Sequence, residues 1–229
     1  MVIKGLQKLT LLDYPGRLAC TVFLGGCNFR CPFCHNASLV LPGRSSENIS
    51  EEEFLSFLDR RRGMLEGVCI SGGEPTLYSE LPTFIEKIRA RGYSVKLDTN
   101  GSHPDLLFSL INAGLVDYVA MDIKNSKKKY GVTVGIDGFD VTPIERSAEL
   151  LLRGEVDFEF RTTVVRELHT ADDIREIGRW LAGSEKFFLQ PFKDSGDIIS
   201  NGMSAYSEAE MSSLLDIFRK FVPLAQIRG

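Results

Sequence analysis

Three cysteines that could bind metal stand close together near the amino terminus, at Cys27, Cys31 and Cys34. Their C-x3-C-x2-C spacing places three soft thiolate ligands on one loop, which suits an iron–sulfur cluster. Three cysteines can bind three irons of a cubane and leave the fourth iron without a protein ligand. A substrate or cofactor could bind that fourth iron, so the spacing predicts a cluster that takes part in a reaction.

Other interpretations of the same cysteines stay open. A zinc site of the Cys3His type would use His35, but the adjacent Cys34 and His35 side chains would have difficulty converging on one tetrahedral ion. A redox pair of Cys31 and Cys34, or thiols without a chemical role, are the remaining interpretations. The other two cysteines, Cys20 and Cys69, lie in apolar runs and are expected to pack in the core.

Polar and charged residues follow several of the apolar runs in the sequence. The segment 72–74, Gly-Gly-Glu, follows one run; its glycines permit close backbone approach to a ligand, and its carboxylate can accept hydrogen bonds from a cation. Asp98 ends the next run, Asp122 and Lys124 follow another, and Arg161 lies inside a further one, where it needs an anionic partner. Singly these would be turn residues and local ion pairs, but together they predict one polar pocket that faces the cysteines.

The elements that must position these residues follow from the hydrophobic pattern. Short, β-branched apolar runs alternate with longer amphipathic segments, which is the pattern of parallel strands joined by helical crossovers. The carboxyl ends of such strands meet at one edge of the sheet, so the polar pocket is expected there. The predicted strands are 18–24, 67–71, 93–98, 116–122, 156–165 and 186–190.

Helix starts are marked by capping signals. We predict capping boxes at Ser50, Thr142 and Ser207, and Thr170 is the expected N-cap of another helix, which leaves the preceding residue, His169, a structural role. The predicted helices without a capping box cover 79–91, 104–114 and 170–182.

The length favours an incomplete barrel. A full eight-stranded barrel typically needs about 250 residues, whereas this chain has 229 and reads as irregular at 35–49 and 124–141. We therefore predict an α/β fold, an open partial TIM-like (β/α)6 barrel of parallel strands, as a single domain over residues 1–229. The segment 191–206 is expected to be a loop before the last helix.

The composition limits the possible partners. Hydrophobic residues make up 43% of the chain, charged residues 25%, and the net charge is −4, which is the balance of a globular protein with a core. No strongly basic face is available for nucleic acid, and no apolar run is long enough to cross a bilayer. Three cysteines within eight residues suit a metal site in a reducing compartment. We expect a cytoplasmic protein that binds neither nucleic acid nor membrane.

The cysteine spacing, with Phe33 directly before the third cysteine, resembles the signature of the radical S-adenosylmethionine (SAM) superfamily. The order of motifs extends this resemblance over residues 10–192. A narrower resemblance rests on the segments 13–16 (Asp-Tyr-Pro-Gly), 25–26 (Gly-Gly) and 34–36 (Cys-His-Asn). These segments resemble the activating enzymes of glycyl radical enzymes, and most nearly the type that activates anaerobic ribonucleoside-triphosphate reductase.

The resemblance implies two cofactors, a [4Fe-4S] cluster and SAM bound to its open iron. The cluster ligands would be Cys27, Cys31 and Cys34. The residues that the family motif assigns to the amino group of the SAM methionine would be Gly72, Gly73 and Glu74. Phe33 is expected beside the cofactors.

The remaining SAM-binding residues are assigned by similarity and by position. Asp98, Asp122 and Lys124 are expected to bind the methionine carboxylate and the ribose, and the resemblance also implies a monovalent cation held by the two aspartates. Arg161 is expected to bind the SAM carboxylate. Gln190, at the end of the sixth predicted strand, is expected to line the adenine.

The implied activity is reductive cleavage of SAM to a 5′-deoxyadenosyl radical, which abstracts hydrogen from a glycine of a partner glycyl radical enzyme, here anaerobic ribonucleotide reductase. The electron would come from a low-potential donor such as flavodoxin or ferredoxin. No side chain need act as an acid or base, so no catalytic residue is predicted. Two alternatives stay open: a radical SAM enzyme acting on a small metabolite, and a non-catalytic iron–sulfur or zinc binding module.

Overall fold

A single sheet of eight strands, ordered β1 to β8 along the chain, forms the centre of the computed structural model, which describes residues 1–41 and 48–229. Neighbouring strands from β2 to β8 are parallel, and β1 is antiparallel to β2. The strands are β1 Ile3–Thr10, β2 Ala19–Leu24, β3 Gly67–Gly72, β4 Ser94–Thr99, β5 Tyr118–Asp122, β6 Asp157–Val164, β7 Phe187–Pro191 and β8 Gln226–Ile227.

The six predicted strands are confirmed as β2 to β7, with bounds that differ by at most two residues. Strands β2 to β5 are buried over most of their length because the helices cover the outside of the sheet, whereas β6 and β7 mix buried with half-buried residues. The register sets Val22 beside Ile70, Ile70 beside Leu97 and Leu97 beside Val119. The sheet is an open barrel wall, as predicted.

The two edge strands were not predicted, and β1 adds one antiparallel strand to the parallel strands that were. This strand alternates apolar residues with Lys4, Gln7 and Lys8, and three of its residues are exposed. Polar and charged side chains are usual on an edge strand, where the outer backbone groups face water. At the other edge, β8 has only two residues, too few to give a hydrophobic pattern.

Eight helices lie within the described residues, and none of them is long and apolar enough to cross a membrane. Ser50, Thr170 and Ser207 each cap a helix through a reciprocal capping box, with Glu53, Asp173 and Glu210 respectively. The helices are α1 Ala37–Val40, α2 Glu51–Arg60, α3 Leu81–Arg89, α4 Pro104–Asn112, α5 Tyr130–Val134, α6 Thr142–Leu152, α7 Ala171–Trp180 and α8 Glu208–Phe218.

Two local predictions were wrong. Thr142 is the first residue of α6 rather than its N-cap, and its amide donates to Oδ1 of Asp140 at 3.0 Å. The segment 124–141 is not irregular throughout, because it contains a 3-10 turn at Lys127–Lys129 and helix α5. The segment 35–49 holds the short helix α1, and its residues 42–47 lie outside the described part.

Candidate active site

A cavity of about 480 Å³ opens at the carboxyl ends of the parallel strands. Small-molecule sites usually enclose about 300–1,000 Å³. The wall of this cavity is formed by the loop after β2, which carries the three cysteines, and by residues at the ends of β3 to β7. The predicted site residues that line it are Cys27, Cys31, Phe33, Cys34, Gly72, Gly73, Asp98, Asp122, Lys124, Arg161 and Gln190.

The cysteine loop has the donor chemistry that a cluster needs. Its three thiols are free of disulfides, with Cys31 buried and Cys27 and Cys34 half-buried. Burial raises the pKa of the Cys27 thiol to about 11 and that of Cys31 to about 12. Buried thiols of this kind ionise when a metal binds to them, since the positive charge of the metal stabilises the thiolate.

The geometry also bears on the kind of metal site. Within the described residues, no three His, Cys, Asp or Glu side chains converge closely enough to hold a single metal ion. A cubane does not require such convergence, because its three protein ligands bind three different irons. The residues present therefore fit a cubane.

The loop is fixed in place by backbone contacts with neighbouring segments. The amide of Arg30 donates to the carbonyl of Val134 at 2.8 Å, and that of Gly26 donates to the carbonyl of Leu39 at 2.8 Å. The Phe29 ring packs edge-on against Phe139, with centroids 5.4 Å apart. These contacts hold the thiols at the cavity before any cofactor binds, which reduces the ordering that binding requires.

The two glycines of the Gly-Gly-Glu segment are required by the approach of one backbone to another. A Cβ on Gly72, which has φ of 120°, would lie 2.2 Å from the carbonyl oxygen of Leu24, and one on Gly73 would lie 1.8 Å from that of Gly26. The amide of Gly73 donates to Leu24 at 2.8 Å, and that of Glu74 donates to Gly26 at 2.8 Å. The segment is thereby joined to the backbone leading into the cysteine loop.

Glu74 is the one predicted site residue that does not line the cavity. Its side chain is entirely buried, and burial raises the pKa of this carboxyl because it disfavours the charged form. Oε1 accepts hydrogen bonds from the amide and hydroxyl of Thr76 and from the Thr99 hydroxyl, while Oε2 accepts from the Asn100 amide at 2.6 Å. The carboxylate ties the loop after β3 to the end of β4, and its predicted contact with SAM stays a prediction.

An ionic network crosses the floor of the cavity. The Arg161 guanidinium lies between two aspartates, with Nε 2.9 Å from Asp122 Oδ1 and Nη1 3.3 Å from Asp98 Oδ2. Asp98 also contacts Lys96, and Asp122 lies 3.1 Å from Lys124 Nζ. The sequence had predicted that Arg161 needs an anionic partner, and the structure gives it two.

The charges of the network are mutually stabilised. Burial alone would raise the pKa of Asp98, but Arg161 and Lys96 hold it below its usual value. The same balance, with Arg161 and Lys124 as the cations, lowers the pKa of Asp122 more strongly. Burial would lower the pKa of Lys124, but Asp122 raises it above the usual value. All five groups, Asp98, Asp122, Lys96, Lys124 and Arg161, are therefore charged at neutral pH, as buried ion pairs must be to offset their desolvation.

The backbone of Lys124 is held on both sides. Its amide donates to Oη of Tyr130 at 3.3 Å, and its carbonyl lies 2.8 Å from Nε2 of His169. The other imidazole nitrogen, Nδ1, accepts from the Val165 amide at 3.1 Å, so the neutral ring must donate from Nε2. His169 is buried and structural, as the sequence predicted.

Several lining residues had no assigned role in the sequence. Asn100 directly follows β4, and its Nδ2 lies 3.9 Å from Cys27 Sγ and donates to Asn28 Oδ1 at 2.9 Å. Asn28 in turn donates to the Ser102 hydroxyl at 2.9 Å. Only the position of Asn100 at a strand end could have indicated this contact. Further lining residues without a prediction are Ser71, Thr163, Lys193, Ser195 and Arg228.

The loop after β7 packs against the cysteine loop. Asp197 Oδ2 accepts from the Ser38 amide at 3.0 Å and from its hydroxyl at 2.6 Å, and the Asp197 carbonyl accepts from the Ala37 amide at 3.3 Å. The Ser200 amide donates to the carbonyl of Pro32 at 2.9 Å. The predicted loop 191–206 therefore supports the segment that carries the cysteines.

Comparison with known proteins identifies a matching family and several relatives. The sequence model of the radical SAM superfamily matches residues 21–181. A Methanocaldococcus jannaschii protein, MJ1227, whose name places it among the glycyl-radical enzyme activating enzymes, is 32% identical over 99% of this chain and 95% of its own length. A 7-carboxy-7-deazaguanine synthase of Koribacter versatilis is 28% identical over 68% of this chain and 65% of its own.

A solved structure with the same fold is that of Streptococcus suis SuiB bound to S-adenosylmethionine. It superposes with a TM-score of 0.69 over 91% of this chain at 12% identity. This chain spans about half the length of SuiB, 52% of that chain. At this identity the likeness extends to the fold alone.

Proposed function

The chain belongs to the radical SAM superfamily, and we propose that this enzyme forms the glycyl radical of a partner enzyme, which we take to be anaerobic ribonucleotide reductase. The observation that carries the proposal is the shared cavity, which joins three cysteine thiols to the polar ends of successive parallel strands. The similarity to MJ1227 over nearly the whole of both chains supports the glycyl radical class. The family implies a [4Fe-4S] cluster and SAM as cofactors.

In this proposal Cys27, Cys31 and Cys34 bind the cluster. When bound, the cluster and SAM supply the one-electron chemistry that removes a hydrogen atom from glycine. The chain contributes position and shielding. Cys31 and Phe33 are buried, at 6% and 3% exposure, so the inner side of the cluster loop excludes water from the reacting centre.

Different groups of the cavity would bind the differently charged parts of SAM. Lys124 and Arg161 would attract the carboxylate, since both are cationic and both line the cavity. Gly72 and Gly73 would approach the amino group through their backbone, and Gln190 would lie against the adenine. We assign no general acid or base, because hydrogen atom abstraction requires none.

The open mouth of the cavity suits a segment of another protein. Lys193 and Ser195, on the loop after β7, line it together with His35 and Asn36 of the cysteine loop. A glycine-bearing loop of the partner could enter between these two loops.

We also propose that residues 1–229 act as one radical SAM domain and that flavodoxin or ferredoxin supplies the electron. The enzyme works in the reducing cytoplasm, where the thiols stay free of disulfides.

Electron paramagnetic resonance tests this proposal directly. The reconstituted enzyme is mixed anaerobically with SAM, dithionite and the anaerobic ribonucleotide reductase of the same organism. We expect the doublet signal of a glycyl radical, lost when the target glycine of the partner is replaced by alanine and when this chain carries Cys31→Ala. SAM cleavage that proceeds at full rate without any signal on the partner would reject the glycyl radical function.

A second candidate is a radical SAM enzyme acting on a small metabolite. Its support is the 28% identity to a 7-carboxy-7-deazaguanine synthase over 68% of this chain. The two candidates differ in what the cavity must hold, since a metabolite would bind inside it without a protein partner. Substrate-dependent consumption of SAM with purified small pterin or purine compounds alone would favour this second candidate.

A further inference from the structure

The two aspartates of the cavity floor bear on whether this protein uses a monovalent cation. The resemblance implied such a cation between Asp98 and Asp122, where carboxylate oxygens would be its ligands. A cation needs carboxylate oxygens that no other cation already contacts, and a local excess of negative charge. Both requirements can be checked against the neighbours of each carboxylate.

Both oxygens of Asp98 already accept hydrogen bonds from protein donors. Oδ1 contacts Nζ of Lys96, a side chain that is only 1% exposed. Oδ2 accepts from the Ser71 hydroxyl at 3.0 Å and lies 3.3 Å from Nη1 of Arg161. This carboxylate therefore has one buried cation on each oxygen.

The second carboxylate is engaged in the same way. Asp122 Oδ1 accepts from Nε of Arg161 at 2.9 Å, and Oδ2 accepts from Nζ of Lys124 at 3.1 Å. Arg161 thus bonds to both aspartates through two different nitrogens and lies where a shared metal ion would have to lie. Its guanidinium is 15% exposed and keeps its charge at any accessible pH.

The charge balance leads to the same result. Three cations, Lys96, Lys124 and Arg161, surround the two anions, so the network already carries one excess positive charge. A metal ion added between the aspartates would raise that excess and would have to displace the guanidinium from two charge-assisted hydrogen bonds. The residues present do not fit a monovalent cation at this position.

We infer that the guanidinium of Arg161 takes the place of the monovalent cation, so that this protein binds SAM without Na⁺ or K⁺. The inference about the cation concerns the two aspartates and does not depend on the glycyl radical function. Its consequence for SAM binding rests on the proposed function. Two measurements separate these parts.

The first measurement uses sodium alone. The sodium NMR line width is recorded with the cluster-reconstituted wild-type protein and with Asp122→Asn, Arg161→Gln and Arg166→Gln, the last a matched change at an exposed arginine that lies 2.5 Å from Glu210. We expect the same line width for all four proteins, because even without Arg161 the two carboxylates keep Lys96 and Lys124 as partners and carry no excess negative charge. Broadening by wild type that Asp122→Asn removes would overturn the inference, even if Arg161→Gln fails to fold.

The second measurement uses SAM. Its Kd for the wild-type protein is determined anaerobically in KCl, in NaCl and in tetramethylammonium chloride at one ionic strength. We expect less than about a twofold change among the three salts, because the guanidinium is part of the chain. A Kd that weakens about tenfold in tetramethylammonium would overturn the inference. Failure of SAM to bind in any salt would reject the proposed function and leave the sodium result to decide on the cation.

Discussion

The carbonyl oxygen of Gly26 lies 1.8 Å from the point where a Cβ on Gly73 would stand. The loop that carries the cysteines and the loop after β3 therefore touch backbone to backbone, with no room for a side chain between them. Because the atom in the way is backbone oxygen, a substitution at residue 73 must move one of the two loops.

Gly73→Ala should destabilise the protein and impair cluster assembly together. Overpacking at such a contact costs on the order of 1–3 kcal/mol of unfolding free energy, and the displaced loop carries the proposed ligands. Urea unfolding and iron content after reconstitution check the prediction. The control is Gly5→Ala, whose Cβ would meet Phe23 at an ordinary 3.5 Å. Full iron loading and unchanged stability of Gly73→Ala would contradict it.

His169 should make stability depend on pH. Burial lowers the pKa of this imidazole, so the folded state disfavours its protonated form. The contribution is complete above the unfolded pKa of about 6.5 and is lost as pH falls below it, by at most about 2 kcal/mol at pH 5. Urea unfolding at pH 7 and pH 5 should show a smaller loss for His169→Gln than for wild type. Equal losses for wild type and His169→Gln would refute the assignment.

Asn100→Leu should make the cluster harder to reduce. Nδ2 of Asn100 lies 3.9 Å from Cys27 Sγ, and an N–H dipole near a ligand sulfur stabilises the more negative, reduced cluster. A redox titration followed by electron paramagnetic resonance should give a more negative midpoint potential. Asn112→Leu, on the exposed end of α4, should leave the potential unchanged. An unchanged or less negative potential for Asn100→Leu would show that the amide does not stabilise the reduced cluster.

Asp197→Ala should make the cluster more labile. The carboxylate accepts two hydrogen bonds from Ser38, so its removal leaves only backbone hydrogen bonds, such as that from the Ala37 amide to the Asp197 carbonyl, between this segment and the loop after β7. We expect iron release to a chelator to be several-fold faster while the far-UV circular dichroism stays the same. Asp194→Ala, at an exposed residue of the same loop, provides the comparison and should release iron at the wild-type rate. Equal rates for both variants would mean that the contact does not hold the loop.

The sequence predicted the elements that depend on local pattern. Strands β2 to β7 were found because short apolar and β-branched runs alternate with amphipathic segments, and Ser50 and Ser207 were found because a capping box is a signal within four residues. Edge strand β1 was missed because its exposed Lys8 and Gln7 break the apolar run. Thr142 was misassigned because Asp140, two residues earlier, accepts its amide hydrogen bond.

The sequence predicted which residues lie together in the cavity better than it predicted the contacts among their side chains. Asp98, Asp122 and Arg161 were placed in one pocket because parallel strands end at one edge, but nothing in the sequence showed that Arg161 bonds to both aspartates. Glu74 is predicted to contact SAM, and nothing in the sequence showed that Thr76, Thr99 and Asn100 would donate hydrogen bonds to its carboxylate. These contacts depend on side-chain direction at strand ends, which spacing along the chain does not fix.

The central claim is that the cysteine loop supports radical SAM chemistry, and the most direct measurement is the formation of 5′-deoxyadenosine. Reconstituted protein is given dithionite, SAM and the candidate partner without oxygen, beside Cys31→Ala and Cys20→Ala, a buried cysteine of β2 outside the loop. We expect 5′-deoxyadenosine from wild type and from Cys20→Ala, and none above background from Cys31→Ala. Equal product with and without Cys31, or no product from wild type with a verified reduced cluster, would contradict it.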